Sequence, residues 1–138
     1  MEDRMRITFD RSLETGDAEI DGQHRELFNR IDQLLASSRE RRSREEVEQM
    51  LTFLGDYVVH HFAAEERMMA QADYPALEVH RAEHVRFVHE FTLLYREFKA
   101  EGPTTLFIIR VGNRVTNWLR EHIYRTDRTF VEHQKTRR

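Results

Sequence analysis

The sequence predicts an all-α protein: an up-down-up-down four-helix bundle with an extended N-terminal arm. Three observations predict it. Four stretches carry apolar residues three and four positions apart, which is the period of one helix face. The breaks between those stretches are short, and short breaks favour antiparallel neighbours. Two prolines and five glycines among 138 residues leave little turn chemistry for a β-rich fold.

Taken in order, residues 1–17 read as the arm of a single domain spanning 1–138. Ile7 and Phe9 alternate with polar neighbours, and Thr15-Gly16-Asp17 reads as a turn with Asp17 as a helix cap. A first helix over 18–38 carries Ile20, Leu27, Phe28, Ile31, Leu34 and Leu35, with His24 in the same stripe. Ser43 and Glu46 have the form of a capping box and start a second helix over 43–72. Its stripe begins Val47, Met50, Leu51, Leu54, Val58 and keeps its period through His61, Phe62, Glu65, Met68 and Met69. Pro75 suits the first turn of a third helix, 75–100, with Leu77, His80, His84, Phe87, Val88, Phe91, Leu94 and Phe98 along one face. Gly102-Pro103 ends it. A fourth helix over 104–126 carries Ile108, Val111, Val115, Trp118, Leu119 and His122 and frays near Asp127, and a basic tail at 134–138 is expected to be disordered.

Composition narrows the function. With 34% charged and 39% hydrophobic residues, the chain suits amphipathic helices in water, and a net charge of −3 gives no electrostatic case for nucleic acid. No cysteine means no disulfide, thiolate metal site or cysteine nucleophile. No apolar run approaches the roughly 18 residues of a membrane span, and Met1 to Arg6 lacks the apolar stretch of a signal peptide. The expectation is a soluble cytoplasmic protein with no membrane partner, a monomer or weak oligomer.

The chemistry lies in the polar residues on the apolar stripes. Burying an unpaired histidine or carboxylate costs several kcal/mol, and a bound metal is the commonest way to satisfy many at once. In an antiparallel bundle, the start of helix one, the end of helix two, the start of helix three and the end of helix four meet at one end. That end holds His24, His61 with Glu65, His80 with His84, and His122 with Asp127. His61/Glu65 and His80/His84 are four apart, so each pair converges on one side of its helix. Asp127 is five after His122, about 140° away on an ideal α-helix. For both to reach one site, the helix must end, loosen or carry a π-type turn there. Five imidazoles and two carboxylates exceed one zinc's usual four ligands. They suit two ions with each carboxylate bridging, and the donor set fits iron, with zinc or manganese as lesser alternatives.

The pattern resembles the hemerythrin family, specifically its single-domain bacterial kind. The resemblance rests on Ile20-Asp21-Gly22-Gln23-His24, on His61-Phe62-Ala63-Ala64-Glu65-Glu66, on Tyr74 with His80 and His84, and on Trp118-Leu119-Arg120-Glu121-His122-Ile123 with Asp127. It covers roughly residues 7–128. Phe9 departs from it, because bacterial relatives commonly carry tryptophan there. The resemblance implies two non-haem iron ions with a bridging oxo or hydroxo group. His80, His84 and His122 would hold one ion, His24 and His61 the other, and Glu65 and Asp127 would bridge. One position would stay open for dioxygen, and the function would be reversible oxygen binding by a carrier, store or buffer rather than an enzyme. Leu27, Phe62 and Leu119, each close in helix turn to a ligand, are expected to wall the oxygen pocket. Two alternatives are an oxygen or redox sensor acting through a partner protein, and a di-iron enzyme handling peroxide or nitric oxide. His60, His89 and His133 read as solvated surface residues, Glu66 as a surface group or one standing behind the ligands, Met68 and Met69 as packing, and Trp118 as core with a second role open to it in shaping the pocket.

Overall fold

The structure is a computed structural model and describes residues 13–136. The expected arm residues Ile7 and Phe9 lie outside the described residues, as do the last two residues of the expected tail. The described residues form a four-helix bundle without strands: α1 (Ala18–Arg39), α2 (Arg44–Gln71), α3 (Leu77–Glu101) and α4 (Thr105–His122). A five-residue π turn (Ile123–Asp127) then leads into α5 (Arg128–Thr136). None of these helices is long and apolar enough to cross a membrane.

Local chemistry sets the helix starts. The Asp17 side chain accepts from the Ile20 amide at 3.0 Å and caps α1. Asp21, one turn in, accepts from the Thr15 amide and hydroxyl at 2.9 and 2.8 Å, which ties the preceding chain to the helix. Ser43 and Glu46 form the expected capping box. Thr104 caps α4 by accepting from the Phe107 amide at 3.1 Å. Gly102 ends α3 at φ +81°, a left-handed conformation that suits glycine.

Helix α1 packs against α2 and α4, α2 against α3, and the α3–α4 seam is the loosest. The core runs along the bundle through Leu27, Phe28, Ile31, Leu34, Leu51, Leu54, Phe98, Phe107, Ile108, Val111 and Leu119. Three elements differ from the expectation. Helix α3 starts at Leu77, because the Leu77 amide bonds back to the Tyr74 carbonyl in a turn that holds Pro75 outside the helix. Val88 is exposed, one step round from the buried Phe87. Positions 134–136 are helical rather than disordered, because Phe130 and Val131 of α5 are buried against Ile20 and Met69 and anchor the segment.

Candidate metal centre

Seven side chains from four places in the chain meet at one end of the bundle: His24, His61, Glu65, His80, His84, His122 and Asp127. None is more than 4% exposed. They sort into two adjoining clusters, one of Glu65, His80, His84 and His122, the other of His24, His61, Glu65 and Asp127. Asp127 adjoins the first cluster as well, its Oδ1 lying 3.1 Å from the Nε2 atoms of both His80 and His122.

The π turn is what puts Asp127 there. The Arg128 amide bonds to the Ile123 carbonyl, five residues back rather than four. The wider turn takes in one extra residue and brings Asp127 round to the face of His122.

Each carboxylate divides its two oxygens between the clusters. Glu65 Oε1 lies 2.8 Å from His80 Nε2 and 3.2 Å from His84 Nε2. Glu65 Oε2 lies 3.0 Å from His61 Nε2. Asp127 Oδ1 faces the three-histidine cluster, and Oδ2 lies 2.9 Å from His24 Nε2. The imidazoles meet at Nε2 too: His80 and His122 at 3.0 Å, His84 and His122 at 3.2 Å, His24 and His61 at 3.1 Å.

The other ring nitrogens fix the tautomers. His84 Nδ1 donates to Glu66 Oε2 at 2.8 Å, and His61 Nδ1 to Gln23 Oε1 at 2.6 Å. His122 Nδ1 lies 3.1 Å from Glu83 Oε2 and 3.0 Å from the Thr126 hydroxyl, whose own proton goes to the His122 carbonyl. A carboxylate or amide oxygen can only accept, so these rings carry a proton on Nδ1 and, when uncharged, present a bare lone pair at Nε2. Lone pairs facing one another cannot bond to each other. A cation between them satisfies both: a proton in the metal-free protein, where Asp127 and Glu65 raise the His24 and His80 pKa values against the cost of burial, or a metal ion in its place.

The geometry fits that reading. Glu65 Oε2 and Asp127 Oδ2 are buried and within about 3 Å of a histidine nitrogen, yet neither is aligned to form a hydrogen bond. Neighbouring donors at about 2.1 Å from a shared ion stand about 3.0 Å apart when six surround it and about 3.4 Å apart when four do. Most separations here match the first figure. Glu65 stands farther from His122, at 3.6 Å, and from His24, at 3.8 Å. Electrostatics agree. Burial works against a charge on His24 and His80, but Asp127 and Glu65 outweigh it and raise both pKa values to about 9. Burial likewise opposes ionisation of Glu65, but His61, His122 and His24 hold its carboxyl well below the usual range. A pocket that attracts protons this strongly attracts a cation for the same reason.

The expected wall residues Leu27, Phe62 and Leu119 are all buried. The Phe62 ring lies chiefly against the three-histidine side, stacked on His84 with ring centroids 3.8 Å apart. Trp118 stacks on His122 at 4.5 Å. His60 and His89 are exposed, while His133 is half-buried beside Tyr74. Gln23 and Glu83, and the bond from His84 to Glu66, were not singled out by the sequence. Their only signal is a polar residue directly beside a ligand.

With the geometry in hand, comparison with known proteins gives one answer. Residues 15–133 match the Hemerythrin HHE cation binding domain. The bacteriohemerythrin of Methylococcus capsulatus is 31% identical over 115 residues, covering 80% of this chain and 82% of that protein. The bacteriohemerythrin of Clostridium acetobutylicum is 27% identical over 126 residues, covering 87% and 95%. A solved structure of wild-type hemerythrin superposes with a TM-score of 0.79 at 27% identity, covering 91% of this chain and 95% of that one. A family match over most of the chain, around two buried histidine–carboxylate clusters fit for a binuclear metal site, makes this protein a member of the hemerythrin family.

Proposed function

We propose that the protein binds dioxygen reversibly at a di-iron centre and serves, without turnover, as a cytoplasmic carrier, store or buffer. The observation that carries this reading is the unequal sharing of donors. His80, His84 and His122 with one oxygen from each carboxylate make five donors on one side; His24 and His61 with the other two oxygens make four. A single solvent-derived bridge would complete six on the first side and leave the second one short, with room for one small ligand. Bound iron would supply two electrons that can be lent to oxygen and recovered.

The chain's residues supply the rest. Neutral imidazoles outnumber carboxylates, so the site stabilises highly charged iron less than the four-Glu, two-His set of ferritin-like proteins does. Burial of all seven donors keeps bulk water from the centre. We assign Leu27, Phe62 and Leu119 to the apolar wall, with Phe62 on the three-histidine side. The bacteriohemerythrin relatives support the family side of the reading.

The test is an anaerobic oxygen titration of iron-loaded, reduced protein followed by optical spectra. An absorption band that grows with oxygen and disappears when oxygen is removed supports reversible binding. Immediate, irreversible oxidation on first exposure refutes it. Steady turnover of peroxide or nitric oxide well above that of free iron would favour the enzyme alternative instead.

A further inference from the structure

The two clusters rest on different outer partners. On the three-histidine side, two of the three rings donate Nδ1–H to carboxylates: His84 to Glu66 at 2.8 Å and His122 to Glu83 at 3.1 Å. On the two-histidine side, His61 donates to the neutral amide oxygen of Gln23 at 2.6 Å. The chemical difference is large. A carboxylate draws the imidazole proton toward itself and makes the opposite nitrogen a stronger donor, whereas an amide orients the ring and adds no charge. The positions are also well held. Arg81 braces Glu66 at 3.2 Å, and the Glu83 side chain is only 32% exposed.

We infer that Glu66 and Glu83 are positioning residues that make the three-histidine site the tighter and more electron-rich of the two, while Gln23 keeps the two-histidine site poorer. The inference rests on the proposed metal centre and adds a division of labour to it. The ion with the full donor set is anchored and favours the higher oxidation state. The ion with room for a ligand is the weaker electron donor, which favours release of whatever binds there. Ligand count alone already ranks the sites in the same order, so the claim concerns the part that the outer partners add. Exchanging carboxylate for amide at these positions isolates it, because the ligands themselves stay in place.

The experiment adds cobalt(II) stepwise to metal-free protein under nitrogen and follows its visible bands, so neither oxygen nor iron is needed. The wild type should bind in two steps of unequal affinity. Glu66→Gln and Glu83→Gln should each weaken the tighter step about 10- to 100-fold while moving the second much less. Gln23→Glu should tighten the second step and narrow the gap. In iron-loaded protein, the two Glu→Gln changes should raise the reduction potential and Gln23→Glu should lower it. A tighter step unchanged in both Glu→Gln variants overturns the inference. So does an equal weakening of both steps accompanied by a lower melting temperature of the metal-free protein, since that is the mark of a purely structural role. A wild type that binds cobalt in two steps but binds oxygen irreversibly leaves this inference standing and removes only the oxygen reading. A wild type that takes up no cobalt overturns the metal centre and this inference together.

Discussion

Replacing His61 with alanine should cost the protein one metal ion, whereas replacing Glu65 should cost it both. The asymmetry follows from where each side chain points. His61 Nε2 faces His24 Nε2 at 3.1 Å and Glu65 Oε2 at 3.0 Å, all within the two-histidine cluster. Its loss removes one of that cluster's four donors and none from the other side. Glu65 puts Oε1 on one cluster and Oε2 on the other, so its loss weakens both. Losing even an outer partner of a ligand costs about 10- to 100-fold in metal affinity. A direct donor should cost at least the upper figure, about 2.7 kcal/mol per affected ion. The assay is metal content per chain after loading with ferrous iron and desalting, alongside the oxygen-dependent spectrum. His61→Ala should retain close to one ion and lose the oxygen response. Glu65→Ala should retain close to none, and the near-isosteric Glu65→Gln shows whether a cavity rather than a lost donor is responsible. The reasoning fails if His61→Ala sheds both ions as readily as Glu65→Ala, or if Glu65→Gln keeps two.

Three other outcomes are expected. Metal-free protein should be most stable between about pH 4.5 and 6.5: as pH rises toward 9, His24 and His80, with folded-state pKa values raised to about 9, lose the protons that favour folding, and as pH falls below the ordinary carboxylate range Glu65, held well below it, is driven to take up a proton that opposes folding. Urea unfolding of chelator-stripped protein at several pH values measures this, and a flat profile would contradict it. Phe130→Ala removes a fully buried ring that anchors α5 and should cost about 3–5 kcal/mol, with a fall in iron retention because Asp127 loses its brace; a thermal melt and metal content read both. Gly112→Ala should cost about 1–3 kcal/mol in the same melt, since a Cβ there would meet the Leu35 side chain well inside contact distance where α1 and α4 pack.

The bundle and the meeting place of the seven donors were legible because histidines and acids sat where apolar residues were due. His61 and Glu65 continue the stripe of Val58, Phe62 and Met69, and all five are buried. The spacing of His122 and Asp127 was informative because it broke the α-helical rule, and a π turn occupies that stretch. What was missed has a common cause. Gln23 and Glu83, like Glu66, for which the sequence left a surface role and a place behind the ligands both open, lie beside ligands on helices whose polar residues mostly face water, and composition alone cannot separate an outer partner from a solvated neighbour. Val88 adjoins Phe87, and either could have taken the inner position until packing against α2 decided. α5 escaped because the apolar stripe of α4 does not reach Phe130 at a constant angle, so the pattern seemed to stop.

That last miss points to what the π turn means for the chain. On an uninterrupted α-helix, Asp127 would sit about 140° from His122, and Phe130 about 80° away. Absorbing one residue turns both back by about 100°, to within about 40° of the site's face. The stretch Ile123–Asp127 therefore behaves as a regular helix with a single residue spliced in, its surplus swallowed locally so that everything downstream stays in phase. Excising the exposed Arg125 should straighten the turn into ordinary α-helix and leave Asp127 and Phe130 where they are needed. At this point the chain tolerates a change in length better than a change of letter. The same deletion one turn further on, between Asp127 and Phe130, would have no surplus to draw on and would swing the anchor out of its socket.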